Sequence, residues 1–498
     1  MKISNLIKCL LFICLWIVVV VSGCSKSENP SSVKSTEKKI TALGFTITGM
    51  KITAVIIDST ITATMPNGTN ITALSPSITI SSKATISPLP GQSQDFSKNV
   101  IYTVKAEDGS TQTYTVTVNN GSAPPPLVID CNNIPSVLED RSNGIDYIIS
   151  CAITLTSTKS LTIKPGVRIQ FDGETAGISV TSDKTALKMV GTAANPIILE
   201  GKTASPGSWT GIQLNSNNTE NQWEYVTMQH AGAGINAAAL FISDNAYFLH
   251  NSKISIKYCT FKDNKGYGIR DQDNGYNYDR IIFSSFSSNN FSNNTNAPLC
   301  LTIDDIGSLD SQSNYGTNGQ NYIEVHGKQG LTSNVLVQKL SIPYYIFESI
   351  GLYQKMTLST GVTLQFYTDA GFNLDKQYIG KGTIIANGTA ANPIRLVGYK
   401  AGKGVWLGLS LWNNDPEISL SYCNIDGAGS NLHSNYGCIS NVKAAINFGS
   451  CDYTAKPVVT NCIITNSGGY GIVHKKMAIV NFSNNSYSGN TLANEFAF

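Results

Sequence analysis

The residues best suited to chemistry lie between positions 263 and 280, where Asp263, Arg270, Asp271, Asp273 and Arg280 combine carboxylates with guanidinium groups. Carboxylates that hold a cation, beside a basic group that abstracts a proton, could cleave an acidic polysaccharide. Three of the carboxylates and both arginines fall in one polar stretch, which suits a site built on a loop. The competing interpretation is a solvated loop with a few surface ion pairs, and we favour it.

The same stretch is the only candidate for a cofactor. Asp271 and Asp273, within Asp-Gln-Asp-Asn-Gly, offer oxygen ligands of the kind that calcium uses. The later bidentate Glu of a full EF-hand loop is absent from the sequence that follows. Calcium is therefore a candidate ion here, and no other cofactor is predicted.

Aromatic residues form a second candidate site, because flat rings bind the apolar faces of sugars when amides or carboxylates surround them. Trp223, Trp412, Tyr276 and Tyr278 lie in polar, loop-like surroundings and are the predicted ligand-binding residues. Tyr344, Tyr345 and Tyr453 have similar surroundings. The sequence does not show whether any of these rings form one platform.

Eleven cysteines are present, and an even eight of them follow position 24. In an exported chain this number permits disulfides. We predict Cys131 with Cys151 first and Cys438 with Cys451 second. Cys259 and Cys462 occupy equivalent places in a repeat and are predicted to be buried thiols, and no Cys or His spacing indicates zinc. The predicted disulfide cysteines are therefore Cys131, Cys151, Cys438 and Cys451, and the predicted buried thiols are Cys259 and Cys462.

The elements that position these residues are given by a tandem duplication. The segment Gly191–Ile197, GTAANPI, recurs unchanged at Gly388–Ile394, an offset of 197. Trp209-x-Gly-Ile-x-Leu recurs as Trp406-x-Gly-Leu-x-Leu at the same offset, so packing is the favoured role for both indoles. Internal repeats of short apolar runs predict a solenoid, in which each unit buries its inner face against its neighbours.

Short runs rich in Val, Ile, Phe and Thr, separated by Asn and Gly, indicate strands with polar turns. About three such runs per repeat unit predict a parallel β-helix over residues 127–498, in two copies of about 127–300 and 301–498. Two separate β-sandwiches are the alternative, but the hairpin turns that they require are not evident.

Residues 39–120 show alternating strands at sandwich spacing, among them Ile40–Ile47, Ser77–Ile80 and Val100–Lys105, with an Asp-Gly hairpin signal at Asp108–Gly109. The segment 121–126 contains three consecutive prolines and predicts a stiff linker. The closing hairpin, NVIYTVKAEDGSTQTYTVTV (99–118), resembles that of the immunoglobulin-like domains found beside the anchor in surface lipoproteins of glycan-degrading Gram-negative bacteria. In that family the module is usually a spacer.

Residues 1–23 read as a signal peptide, with Lys2 and Lys8 before a short apolar run. Val21-Ser22-Gly23-Cys24 resembles the bacterial lipobox, which implies that Cys24 is lipidated and that 24–38 is a polar tether to the outer membrane. An ordinary secretory signal is the alternative. The remaining chain carries 33 basic and 33 acidic residues, with no basic patch that would indicate nucleic acid.

LTIKPGV (161–167), GTAANPI and Trp-Thr-Gly-Ile (209–212) resemble the right-handed parallel β-helix repeats of bacterial surface proteins, which are related in fold to pectate lyases. The resemblance is specific for fold and weak for function. We therefore expect a surface-exposed, outer-membrane lipoprotein whose β-helix binds a glycan or another surface without catalysis. The alternatives are a polysaccharide lyase or glycoside hydrolase, and a structural stalk.

Overall fold

The computed structural model describes residues 33–498 except 157, 243–251, 272–280, 328–329, 375–381, 412–416, 432–438, 440–441, 450–455 and 477–479. The chain separates into two compact units, one ending at Ser122 and the other beginning at Ala123. This boundary falls within the predicted linker. The prediction of an all-β chain, with a sandwich-like module before a parallel β-helix, is confirmed.

Residues 33–122, the described part of the first unit, contain eight strands in two sheets, with strand orders β2-β1-β5 and β3-β4-β8-β7-β6. All pairs are antiparallel except β4 with β8. The predicted hairpin turn lies between β7 and β8, where the Asp108 carboxylate accepts a hydrogen bond from the Ser110 N–H at 2.9 Å. The strands are β1 Ile40–Ile47, β2 Met50–Thr53, β3 Val55–Ile57, β4 Thr60–Met65, β5 Ser77–Ile80, β6 Thr85–Ser87, β7 Val100–Lys105 and β8 Thr111–Asn120.

The described residues of the first copy of the repeat, in the second unit, form nineteen short strands. They are β9 Leu127–Val128, β10 Val137–Leu138, β11 Tyr147–Ile149, β12 Ala152–Leu155, β13 Leu161–Ile163, β14 Arg168–Phe171, β15 Gly177–Val180, β16 Leu187–Val190, β17 Ile197–Gly201, β18 Gly211–Leu214, β19 Gln222–Glu224, β20 Val226–Gln229, β21 Ala238–Ile242, β22 Ser252–Lys257, β23 Thr260–Lys262, β24 Tyr267–Asp271, β25 Ile281–Ser287, β26 Asn290–Ser292 and β27 Leu299–Thr302.

The second copy follows a 3-10 turn at Ile306–Ser308. Its strands are β28 Ile323–His326, β29 Val335–Val337, β30 Tyr344–Ile346, β31 Ser349–Gly351, β32 Lys355–Leu358, β33 Thr363–Phe366, β34 Gly371–Leu374, β35 Thr383–Asn387, β36 Ile394–Gly398, β37 Gly408–Leu411, β38 Ser419–Ser421, β39 Cys423–Asp426, β40 Ala444–Phe448, β41 Val458–Thr460, β42 Ile463–Thr465, β43 Tyr470–His474, β44 Asn481–Ser483, β45 Ser486–Ser488 and β46 Glu495–Ala497.

The coils of the solenoid have up to three strands, and every pair from β9 to β46 in the described residues is parallel. Copy one has its first strands in the sheet β10-β13-β16-β19-β22-β25 and its second strands in β9-β11-β14-β17-β20-β23-β26. Its third strands, from β12 to β27, form part of a thirteen-stranded sheet, which we call the long sheet.

Where the two copies meet, the long sheet begins to receive a different strand from each coil. Beyond β27 it continues through β28 into β30, β33, β36, β39, β42 and β45, which are the second strands of the coils in copy two. The third strands of copy two begin a new sheet with β31. The two copies are therefore offset by one face of the coil, although their motifs recur in the same order along the sequence.

The interior of the solenoid is apolar, and the duplicated indoles lie within it as predicted. Trp209 stacks on Phe171 with ring centroids 4.0 Å apart, and Trp406 stacks on Phe366 at 4.1 Å. Both indoles are fully buried. Each indole Nε1 donates to a main-chain carbonyl oxygen at 2.8 Å, which satisfies its only donor.

Buried asparagines line one corner of the coils. The Asn264 Nδ2 donates to the Asn294 Oδ1 at 2.9 Å, and the Asn294 Nδ2 donates to the Asn318 Oδ1 at the same distance. Each of these amides also donates to a main-chain carbonyl of the preceding coil. The ladder satisfies turn backbone groups that water cannot reach.

The cysteines with described positions divide into one disulfide and four thiols. Cys131 and Cys151, the first of the two predicted pairs, form a disulfide with Cα atoms 6.4 Å apart. Cys259 and Cys462 are buried thiols, as expected from their repeated position, and Cys300 and Cys423 are buried as well. Cys438 and Cys451 lie outside the described residues, as does Cys24.

Candidate functional site

The predicted acidic and basic cluster is only partly described, and its described members have separate partners. Asp263 lies in a turn, where its carboxylate accepts from Asn293 at 3.2 Å. Arg270 projects from β24, and its guanidinium donates to the Asn236 carbonyl at 3.2 Å and lies 5.7 Å from the Tyr267 ring centre. Asp271, at the end of β24, is buried. Asp273, Arg280, Tyr276 and Tyr278 lie outside the described residues.

The prediction that Trp223 binds a ligand is wrong, because its side chain is fully buried. Its Nε1 donates to the Leu187 carbonyl at 3.0 Å, so the indole packs inside the coil. Tyr344 is also buried and donates to the Gln338 carbonyl at 2.8 Å. Trp412 and Tyr453 lie outside the described residues.

Tyr345 is also buried, at 8% exposed, but it points to the outside of the long sheet and joins a cluster of rings there. Its centroid lies 4.6 Å from that of Tyr322 and 4.8 Å from that of Phe347. Tyr367 and Tyr399 complete the group, 5.0 Å apart. We call these five side chains the aromatic face: Tyr322, Tyr345, Phe347, Tyr367 and Tyr399.

Three of these rings form a row, because they follow the ends of successive strands. Phe347, Tyr367 and Tyr399 come directly after β30, β33 and β36 and extend the parallel hydrogen-bonding pattern. The ring centroids of Phe347 and Tyr367 lie 5.7 Å apart. His326, on the preceding strand of the long sheet, stacks on Phe347 with ring centroids 5.2 Å apart. Tyr367 is 42% exposed, and Phe347 and Tyr399 are half-buried, so ring surface remains available to a ligand.

Charged groups border the row. The Lys400 Nζ lies 5.1 Å from the centre of the Tyr399 ring. Hydrogen bonds from Lys400 and Thr368 lower the pKa of the Tyr399 hydroxyl. The Asp369 carboxylate accepts from the Ser430 hydroxyl at 2.8 Å. These groups provide donors and acceptors beside the exposed ring surface.

Copy one carries an ion pair at the positions equivalent to the row. Offsets of 195 and 197 relate Tyr367 and Tyr399 to Asp172 and Lys202, and the Lys202 Nζ lies 2.7 Å from the Asp172 carboxylate. The same scaffold therefore carries charges in one copy and rings in the other. The rings are not required by the coil, which favours a role in binding.

Polar side chains lie at the lower end of the aromatic face, on β27 and β28. Cys300 and Glu324 are direct neighbours across these strands, and His326 is two residues further along β28. The His326 Nε2 lies 2.9 Å from the Glu324 Oε1, and its Nδ1 lies 3.7 Å from the Glu348 Oε1. The Tyr267 hydroxyl donates to the Glu324 Oε2 at 2.9 Å.

The charges in this cluster follow from its contacts. Burial raises the pKa of the Cys300 thiol to about 11, so the thiol is neutral near pH 7. Burial opposes charge on His326, but hydrogen bonds with Cys300, Glu324 and Glu348 raise its pKa to about 12. Burial likewise opposes charge on Glu324, but hydrogen bonds from His326 and Tyr267 lower its pKa.

The sequence contained a signal for this site that a comparison of the two copies would have found. Leu-Glu-Gly-Lys (199–202) aligns with Leu-Val-Gly-Tyr (396–399), so the charged Lys202 of copy one corresponds to the aromatic Tyr399 of copy two. The prediction instead followed the charged residues between positions 263 and 280. Tyr345 was among the aromatic candidates, but its neighbours in the face are contributed by other coils.

Residues 40–118 match the family model described as SGBP, N-terminal, the N-terminal domain of surface glycan-binding proteins. The match covers most of the described part of the first unit, residues 33–122, and none of the solenoid. No curated protein matches the chain. In the part of the chain that the structure describes, no helix has the length and apolar character needed to cross a bilayer.

Two solved structures share short segments with the chain. A candidate glycoside hydrolase from Bacteroides thetaiotaomicron is 30% identical, with a TM-score of 0.17 over 20% of this chain and 28% of its own. A candidate secreted protein from Bacteroides fragilis is 21% identical, with a TM-score of 0.14 over 17% of this chain and 97% of its own. The chain thus spans little more than a quarter of the first of these proteins.

Proposed function

We propose that this protein is a cell-surface protein that binds a glycan without catalysis, through the aromatic face of its solenoid. The observation that carries the proposal is the row of Phe347, Tyr367 and Tyr399 on the outside of the long sheet. The match of residues 40–118 to the SGBP N-terminal family supports it independently.

The arrangement suits a sugar chain for physical reasons. Aromatic rings contact the apolar faces of pyranoses, and neighbouring polar groups bind their hydroxyls. The row crosses successive strands, so an extended glycan would lie along the axis of the solenoid and contact several rings in turn. Lys400, Asp369 and Glu348 border the row and would supply hydrogen bonds to the hydroxyl groups.

The remaining segments fit attachment to a cell surface. Lipidated Cys24 would anchor the chain in the outer membrane, since several acyl chains on one residue give stable anchoring. The tether 24–38 and the first unit would then act as a spacer between the membrane and the solenoid. This placement is part of the proposal and rests on the lipobox-like segment and the family match.

The experiment measures retention of the purified protein on gels containing xylan, mannan, β-glucan or polygalacturonate, with dissociation constants for any polysaccharide that binds. The double variant Tyr367→Ala/Tyr399→Ala should bind at least tenfold more weakly, a loss of about 1.4 kcal/mol or more. Asp172→Ala/Lys202→Ala is the matched control at the equivalent positions of copy one, and it should bind like the natural protein.

Three results would contradict the proposal. Equal binding by the tyrosine variant and the natural protein would show that the glycan lies elsewhere. Release of new reducing or unsaturated ends during the assay would support the lyase or hydrolase interpretation instead. Failure to retain any polysaccharide, in an expanded panel that includes host glycans, would leave the structural stalk as the better description.

A further inference from the structure

The cluster on β27 and β28 brings three different metal-binding side chains to one point on the outside of the long sheet. The Cys300 Sγ, a Glu324 carboxylate oxygen and a His326 ring nitrogen all lie within 4.8 Å of one another. The Cys300 Sγ is 3.6 Å from the Glu324 Oε1, which is in turn 2.9 Å from the His326 Nε2.

We propose that Cys300, Glu324 and His326 bind a divalent transition metal of the zinc class. Thiolate, imidazole and carboxylate are the donors that such ions prefer, whereas calcium and magnesium take oxygen ligands alone. With bond lengths of about 2.0–2.3 Å, tetrahedral ligand atoms lie about 3.3–3.8 Å apart. The observed separations therefore require only a small adjustment to hold an ion.

The surrounding residues support the ligands as an outer shell does in metal proteins. Glu348 faces the His326 Nδ1 and is itself fixed by the Gly327 N–H, which donates to it at 2.8 Å. This carboxylate would hold the ring with its Nε2 directed at the ion. The Tyr267 hydroxyl fixes the second oxygen of Glu324.

An ion has a route to the cluster. The side chains of His326 and Glu348 are 27% and 26% exposed, while that of Glu324 is 10% exposed. Three protein ligands leave a fourth position open toward solvent, where water or a donor atom of a ligand would bind. Binding would displace protons from Cys300 and His326, because a metal takes the thiolate and the neutral imidazole nitrogen.

The alternative is that the cluster is only an ion pair, with a protonated His326 held between Glu324 and Glu348. The metal site and the ion pair use the same contacts, so only a measurement of metal binding distinguishes the two interpretations. The inference does not rest on the proposed glycan-binding function, because the ligands are on β27 and β28 and the row follows β30, β33 and β36. A protein that binds metal but no glycan would leave this inference intact.

The test uses the purified full protein, freed of metal with a chelator and titrated with Co²⁺. One equivalent should bind and give the thiolate-to-cobalt charge-transfer absorption together with the visible bands of a tetrahedral site, and Zn²⁺ should displace it. Cys300→Ser should abolish the charge-transfer band. Glu348→Gln, which leaves all three ligands in place, should weaken Co²⁺ binding about 10- to 100-fold.

Cys259→Ser is the matched control, since Cys259 is a buried thiol in the same copy whose sulfur contacts the Lys257 carbonyl. Its Co²⁺ spectrum should equal that of the natural protein. Circular dichroism of every variant checks that the β-structure is retained. Failure of the natural protein to bind one equivalent, or a charge-transfer band that survives Cys300→Ser, would overturn the proposal.

Discussion

Glu200 joins side chains from three successive coils on the outside of copy one. Its carboxylate accepts both guanidinium bonds of Arg168 at 2.9 and 3.0 Å, and the amides of Gln170 and Gln229 at 3.1 and 2.7 Å. Burial raises the pKa of Glu200, but these hydrogen bonds outweigh burial and hold it below its ordinary value of 4.5. The equivalent residue in copy two is Val397, so this polar network is confined to one copy.

We expect Glu200→Gln to lower the free energy of unfolding by roughly 1–3 kcal/mol near neutral pH, because Arg168 loses a charged partner. A pKa that is lowered on folding gives stability that is present above the unfolded pKa and is lost as the pH falls through the folded one. The difference between the variant and the natural protein should therefore shrink below about pH 4. Thermal midpoints at neutral and acid pH measure it.

Glu220→Gln provides the control for this prediction. Glu220 accepts from Lys188 at 2.6 Å, but its side chain is 56% exposed, and such pairs contribute about 0–1 kcal/mol. Its substitution should change the thermal midpoint little at either pH. A Glu200→Gln deficit of equal size at both pH values would show that the carboxylate charge is not the cause.

Among the strands, β18 and β37 begin with a glycine for a reason that only the neighbouring coil explains. A Cβ at Gly211 would lie 2.6 Å from the Ala238 carbonyl oxygen, and one at Gly408 would lie 2.7 Å from that of Ala444. Both glycines have positive φ, at 102° and 107°. The close contact at each glycine is therefore with the backbone of the next coil.

Gly408→Ala should lower the free energy of unfolding by at least about 2 kcal/mol, since it adds backbone strain to an overlap with a main-chain oxygen that cannot rotate away. Gly234→Ala is the matched control. Gly234 also has positive φ, at 82°, but its added Cβ would meet nothing within 4 Å. Its cost should be roughly 1 kcal/mol.

Urea unfolding of both glycine variants measures the difference. If Gly408→Ala and Gly234→Ala unfold at the same midpoint, the close approach of β40 to β37 does not contribute to stability. That result would mean that, in solution, Gly408 lies farther from the Ala444 carbonyl oxygen than in the structure.

Across the whole molecule, the offset between copies decides which residues meet. The long sheet receives third strands from copy one and second strands from copy two, so β27 and β28 lie directly below β30. Cys300 from copy one therefore faces Glu324 from the first strand of copy two, and the row of Phe347, Tyr367 and Tyr399 begins one strand above. A solenoid in which each face continued unchanged would have placed these groups on different sheets.

At the same scale, attachment to the membrane is a testable expectation. Cys24→Ser should prevent acylation and release the protein from the membrane fraction, while its glycan retention stays unchanged, because Cys24 lies outside the solenoid. Incorporation of a labelled fatty acid, with fractionation of the cells, measures both effects. Cys14→Ser is the control within the same predicted signal peptide and should leave acylation intact; equal labelling of Cys24→Ser would exclude Cys24 as the anchor.

The strands of the first unit could be predicted closely from the sequence. The predicted runs Ile40–Ile47, Ser77–Ile80 and Val100–Lys105 are the observed β1, β5 and β7, because a half-buried strand alternates apolar and polar side chains. The strand Met50–Thr53 was missed, since its side chains are mostly exposed and the alternation is weak.

The site could be predicted only in part, and Trp223 shows why. Its neighbours Gln222 and Glu224 are polar, which indicated a loop, but they point outward from a three-residue strand while the indole points inward. In a short strand of a coil, one apolar residue between two polar ones is enough to form core. Chain neighbours therefore gave the wrong environment for this side chain.

The sequence by itself determined the duplicated solenoid, because the contacts that build each coil are made by short motifs that recur in both copies. Only the tertiary structure decided where Cys300, His326, Phe347, Tyr367 and Tyr399 lie relative to one another. These residues are separated by 20 to 32 positions along the chain, and their placement on one face depends on the length of every intervening turn. No short sequence motif encodes the combined length of these turns or the change of face at the junction between the copies.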